Sequence, residues 1–161
     1  MTQKEWSSLL SEATKAAKDL NDKSDLVQRA IDEFEAKLKE LSFGIECWLE
    51  DWPLSSEPFV TRDDDDRPDE KQKMEVQLGY GRYADHWALL LRDATYCDAG
   101  YCVAGDMAWD LQDGDNVRPL NSAPRMLRIE ALKRFPSLLE KLIAAAKEAT
   151  KVIEEARTSL K

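Results

Sequence analysis

From Trp6 onward, apolar residues recur in alternating steps of four and three: Trp6, Leu10, Ala13, Ala17, Leu20, Ser24, Val27, Ile31, Phe34, Leu38 and Leu41. Only Ser24 is polar. A mean step of 3.5 residues lines one face of a helix that packs against another helix, as in a coiled coil. No proline or glycine precedes Gly44, so no residue in the stretch interrupts the helical backbone. The alternative is two helices broken at Asn21-Asp22-Lys23-Ser24, with Asp22 or Ser24 as an N-cap. A true turn would change the register, and the register holds. The seam therefore predicts one long helix over 2–41, roughly 60 Å in length.

The other end of the chain has the same spacing: Leu132, Phe135, Leu139, Leu142, Ala146, Ala149, Ile153, Ala156 and Leu160. Pro136 lies inside this pattern and should either open a new helix at its first turn or kink a continuous one. Ser122 is a good N-cap for a segment starting at Ala123-Pro124. The helical region is expected over 122–160, as a short helix near 123–134 and a long one near 136–160. Neither long helix can bury its stripe alone, and the middle of the chain is too small to cover both. Antiparallel pairing of the two is the economical solution, with the small Ala13, Ala17, Ala146 and Ala149 letting the backbones approach. The first helix is the longer, which leaves part of its seam for a second copy. A homo-oligomer is expected.

Between the helices the period falls to two. Phe43, Ile45, Cys47 and Leu49 alternate with Gly44, Glu46, Trp48 and Glu50, and Met74, Val76, Leu78 and Tyr80 alternate with Glu75, Gln77, Gly79 and Gly81. Both read as half-buried strands. His86 to Arg92, HWALLLR, is a short apolar run after the turn signal Ala84-Asp85, which favours a third strand. A fourth fits around 101–111, closed by a turn at Asp113-Gly114-Asp115-Asn116. Residues 61–73, TRDDDDRPDEKQK, read as an acidic loop. At 161 residues the chain is one domain's worth. The expected class is α+β: a small antiparallel β-meander over 43–118, flanked by the two long helices, in one domain spanning 1–161.

Gly79-Tyr80-Gly81-Arg82-Tyr83-Ala84 matches the literal G-x-G-x-x-[GA] dinucleotide pattern. The true fingerprint follows the first strand of a βαβ unit and opens a helix within a large parallel sheet. Here it is followed by Asp85-His86-Trp87, and no strand–helix series comes after. The two glycines lie on one face of one strand, so the steric reading is preferred: a flat spot where the ring of Trp48 or Trp52 lies against backbone. No cofactor is expected.

Cys97-x4-Cys102 with His86 upstream departs from zinc spacings, and Cys47 or Asp98 would complete a ligand set only if the fold brought them together. His86 is the only histidine, and a Cys97–His86 nucleophilic pair lacks the local context of a known cysteine hydrolase. No catalytic residue and no metal site is assigned. Asp63, Asp64, Asp65 and Asp66, and the later Asp110–Asn116 run, lack the order of ligands in a calcium loop. Such a run is ordinarily a solvated loop, and its functional variant is imitation of phosphates toward a nucleic-acid-binding partner. Between Arg118 and Arg134 the charge reverses. Arg125 and Arg128 stand one turn apart near a helix N-terminus, where an anion or acidic partner can dock; the preferred reading pairs them with the chain's own surplus of carboxylates. Trp48 and Trp52 share a strand face with Glu46 and Glu50, and a partly exposed tryptophan beside charge is a common interface anchor.

The formal net charge of −9 opposes direct binding to nucleic acid and to anionic membranes. No apolar run reaches the length of a membrane span, the N-terminus lacks a signal-peptide core, and three cysteines suit a reducing cytoplasm. The expectation is a non-enzymatic, cytoplasmic, acidic protein-interaction or regulatory module of bacterial or phage type, with Trp48, Trp52, Arg125, Arg128 and Asp63 to Asp66 as partner-binding candidates. The alternative is an inhibitor that imitates nucleic acid through its acidic surface, of the kind a phage directs against host defence.

Overall fold

The computed structural model of the chain describes the backbone of residues 3–61, 70–103 and 106–159. It describes their side chains except at 4, 59–61, 70, 71, 98–103, 106–110 and 112–115. The order is helix α1 (Gln3–Leu41), strands β1 (Cys47–Trp48), β2 (Ser55–Thr61), β3 (Glu70–Tyr83), β4 (His86–Val103) and β5 (Asp106–Pro119), a 3-10 turn (Leu120–Ser122) and helix α2 (Arg125–Ser159). Two helices from the chain ends flank one antiparallel sheet, so the class is α+β.

In the sheet, β3 pairs with β4 and β4 with β5, while β1 and β2 both add to the other edge of β3. The β3–β4 hairpin turns on Ala84-Asp85, with Tyr83 opposite His86 and Ala84 at φ 51°, the positive φ that a primed hairpin turn needs. Two expectations are corrected here. The loop expected over 61–73 is shorter: Thr61 ends β2, a strand for which residues 55–60 gave no reading, and residues 70–73 open β3 and pair with it; Pro58 is tolerated because β2 lies at an edge and pairs only with β3. The expected turn at Asp113–Asn116 is instead part of β5. Asp93 is opposite Asn116 and Thr95 opposite Asp113, so β5 carries one extra residue there. Gly114-Asp115 forms a bulge, which uses the same residue types as a turn without reversing the chain.

Alternation along the strands sorts the two sheet faces. Leu78 and Tyr80 on β3, Leu89 and Leu91 on β4, and Cys47 with Leu49 face the helices. They join Ile31 and Leu38 of α1 and Ala131, Phe135, Leu138 and Leu142 of α2 in one core. Phe34 and Phe135 stack with ring centroids 4.2 Å apart, and Lys141 Nζ donates to the Trp48 carbonyl at 2.7 Å. Pro136 does not divide α2. Its missing N–H costs one helical bond, while Phe135 and Leu138 on either side are buried in the core.

The sense of the helix pair is also corrected. Arg125 meets Asn21, Arg128 meets Gln28, and Phe135 meets Phe34. Both numbers rise together, so α1 and α2 run parallel where they touch. The long excursion through the sheet returns the chain to the middle of α1, which a short connection could not do. Consequently Ala13 and Ala17 do not meet Ala146 and Ala149; the two alanine pairs lie at opposite ends of the helix pair.

Candidate interaction surface

Parallel pairing with a large offset leaves two helix ends without cover. The contacts place Phe34 beside Phe135, so α1 ends about where Leu142 lies on α2, and α2 begins only near Asn21 of α1. Every described side chain from Glu5 to Lys23 is exposed, including Trp6, Leu9, Leu10 and Leu20 at about half of their surface. At the other end, Ile143 is 41%, Val152 54% and Ile153 66% exposed, while Ala145, Ala146 and Ala149 are partly covered. The seam read from the sequence is thus covered over Ser24–Leu38 and bare over its first half. The first end spans 3–20 and the second 143–159, roughly 27 and 26 Å.

Each end is electrically neutral. Lys4, Lys15 and Lys18 balance Glu5, Glu12 and Asp19; Lys147, Lys151 and Arg157 balance Glu148, Glu154 and Glu155. The whole surplus of −9 therefore lies outside the two ends. The apolar ends carry none of the long-range repulsion between copies that the rest of the chain carries. Pairs such as Asp19–Lys23 and Lys151–Glu155, one turn apart, support such helices only by a few tenths of a kcal/mol each. Both ends continue helices already nucleated in the covered middle, so propagation alone holds them, without stabilisation from a packed face.

The arginine candidates are occupied within the chain. Arg125 donates to Asn21 Oδ1 at 3.0 Å and Arg128 to Gln28 Oε1. Gln28 also donates to Asn121, and Asn121 to Asp32. This amide network fixes the start of α2 to the middle of α1. The partners are amide oxygens, whereas Arg118 finds a carboxylate, Asp93. Ser122 caps nothing: its hydroxyl donates back to the Pro119 carbonyl, and α2 starts three residues later.

Trp48 and Trp52 differ. Trp48 lies flat on Gly79, where a Cβ would come within 2.3 Å of its ring, while Gly81 faces the Glu46 side chain. Arg92 covers the ring of Trp48, 4.7 Å from its centroid, and bonds Gln77 and Glu50. The indole N–H donates to Glu46 at 2.7 Å. Gly79, the first glycine of the dinucleotide-like pattern, is therefore a seat for Trp48. Trp52 is 51% exposed. Asp63 to Asp66 lie outside the described residues.

A cavity of about 460 Å³ opens at the end of α1, lined by Lys39, Ser42, Gly44, Tyr80, His86 and Trp87. Beside it Glu35 binds Lys39 with one oxygen and accepts the Leu89 N–H with the other, at 2.9 Å. β4 has no β5 partner at Leu89, so a helix carboxylate supplies the acceptor. Burial, and then the nearby Glu35, push the Tyr80 phenol above its ordinary value. His86 and Cys97 stand at positions 86 and 97 of one strand, about 35 Å apart at 3.3 Å per residue, so they do not form a pair. Cys47 is buried in the core and its thiol is pushed up, chiefly by that burial. Among the described residues no three of His, Cys, Asp and Glu gather as a metal site, and no helix is long and apolar enough to cross a membrane.

The sequence seam contained most of the exposed end residues but missed Leu9, Ile143 and Val152, each adjacent to a seam position. Adjacent apolar pairs, Leu9-Leu10 and Val152-Ile153, are the signal that widens a narrow seam into a docking face. The chain matches no protein-family model, no curated protein and no solved structure.

Proposed function

We propose that this protein is a non-enzymatic, acidic interaction module that self-associates, with the sheet and the paired middle of the helices as its rigid body and the two helix ends as its contact surfaces. The observation that carries this reading is the bare apolar seam. Trp6, Leu9, Leu10 and Leu20 at one end, and Val152 and Ile153 at the other, stand in water on helices that the rest of the chain does not support. Contiguous apolar surface of this kind marks interaction sites. The separation of His86 from Cys97 also favours a binding role over a nucleophilic one. Light scattering at micromolar concentration is expected to return a multiple of 18.4 kDa; a monomer mass overturns the reading.

One observation favours imitation of nucleic acid as a second reading: the acidic surplus is confined to the body between the ends. On that reading, changing Asp63 to Asp66 all to asparagine weakens capture of a nucleic-acid-binding partner and flattens its salt dependence. Unchanged affinity and slope remove it.

A further inference from the structure

We infer that self-association joins unlike ends: residues 3–20 of one copy lie parallel against residues 143–159 of a second copy. The inference rests on the self-association reading and specifies its geometry. Three observations carry it.

The first is continuity with a contact already present in each chain. Within one copy, α1 and α2 pack in parallel through Val27, Ile31, Phe34 and Leu38 against Ala131, Phe135, Leu138 and Leu142. The bare ends continue the same two seams in opposite directions. A second copy whose α1 starts where the first copy's α1 stops extends the existing pairing along α2. Its N-terminal dipole end then follows the C-terminal end of the first α1, the favourable head-to-tail sense.

The second is size. Aligned in this way, Trp6 and Leu10 fall beside Ala146 and Ala149, and Ala13 falls beside Ile153. In these three layers a large side chain meets a small one, as interdigitating layers require, while Ala17 falls near Ala156 and Leu20 runs past the described end of α2. The antiparallel alignment matches Trp6 with Ala156 but places Leu10 against Ile153 and Ala13 against Ala149, large on large and small on small. Joining two α1 ends in parallel register sets Trp6 and Leu10 against the same residues of the partner, whereas joining them antiparallel sets Leu10 against Ala17, the competing arrangement that the mass test separates. Joining two α2 ends sets alanines against alanines and buries little.

The third is charge. Both ends are neutral, with three basic and three acidic residues each, so they approach without the repulsion that two copies of a −9 body exert. Because the contact is between unlike surfaces, each copy has one donor end and one acceptor end. Such contacts close into rings or extend as filaments.

The test is a complementation by mass. One variant carries Leu9→Asp and Leu10→Asp, the other Val152→Asp and Ile153→Asp. All four positions are exposed in the single chain, and circular dichroism with melting curves establishes that the variants fold. By sedimentation, each variant alone is expected at 18.4 kDa. Their equimolar mixture is expected to form a species of twice that mass and no larger, because each brings one intact end. A variant that remains a dimer alone shows pairing of like ends and overturns the inference, as does a mixture that stays monomeric while wild type associates. A monomeric wild type instead overturns the self-association reading itself.

Discussion

The covered and bare halves of the same two helices carry the same kind of seam but have different surroundings. Along α1, Ile31 and Leu38 are buried, while Leu10 and Leu20, earlier in the same register, are half exposed. Along α2, Leu138 and Leu142 are buried, and Val152 and Ile153 are not. What separates the halves is the sheet. Where Leu78, Tyr80, Leu89 and Leu91 present an apolar face, the seams close over it; elsewhere they meet no such face among the described residues. Ser24, the only polar seam residue, marks the boundary on α1 and is itself buried. A periodic seam encodes the capacity to pack, and the supply of a facing surface decides whether packing occurs within one chain.

The largest test of this contrast is a pair of truncations. Leu138→Ala removes a side chain with no exposed surface and is expected to cost about 2–5 kcal/mol in denaturant unfolding. Ile153→Ala, in dilute protein, is expected to change stability by about 0.5 kcal/mol or less. Equal losses would show that the α2 end is already covered within a single chain.

On the opposite face of the sheet, Gly79→Ala places a methyl group within 2.3 Å of the Trp48 ring and is expected to cost about 1–3 kcal/mol, lowering the melting temperature by several degrees. Gly81→Ala meets the flexible Glu46 side chain at 3.0 Å and is expected to cost less. Neither variant should alter a melting curve's response to NAD or ATP. A nucleotide shift in wild type that Gly79→Ala abolishes would restore the fingerprint reading.

The smallest effect is in pH. Cys47 and Tyr80 both lie where the helices meet the sheet, and burial raises both above their ordinary values of 9.0 and 10.0. The unfolded chain ionises first as pH rises, so it binds fewer protons than the folded chain, and stability falls with pH in that window. The contribution is complete below pH 9 and is lost progressively above it. Melting temperatures from pH 8 to pH 11 are expected to decline. Cys47→Ala should flatten the lower part of that decline, and an unchanged profile would place the thiol outside the buried interface.

Much of the architecture was legible in local pattern. The unbroken register from Trp6 to Leu41 identified α1, the alternation around Leu78 and Tyr80 identified β3, and the HWALLLR run identified the start of β4. That a tryptophan ring lies on a glycine of β3 was legible from two glycines on one strand face; that the ring is Trp48 and not Trp52, and that Gly81 meets Glu46 instead, was not. β2 was not legible, because SSEPFVT contains Pro58 and alternates weakly; pairing with β3 holds it extended. The bulge at Gly114-Asp115 was read as a turn because both structures draw on the same backbone-permissive residues. The use of Arg125 and Arg128 could not be read from their charge, since their partners Asn21 and Gln28 lie about a hundred residues away.

By itself, the sequence determined that this chain has two long seamed helices around an alternating, strand-forming middle, and that its charge opposes nucleic acid and anionic membranes. These properties follow from interactions within a few residues: helical repeat, strand alternation and the backbone limits of glycine and proline. Only the tertiary structure decided that the helices run parallel, that their offset leaves the apolar side chains Trp6, Leu10, Val152 and Ile153 exposed, and that the alanine pairs lie at opposite ends. Direction and offset depend on where the sheet delivers the chain back to α1. The chain is delivered by hydrogen bonds between strands far apart in sequence, and no local period records them.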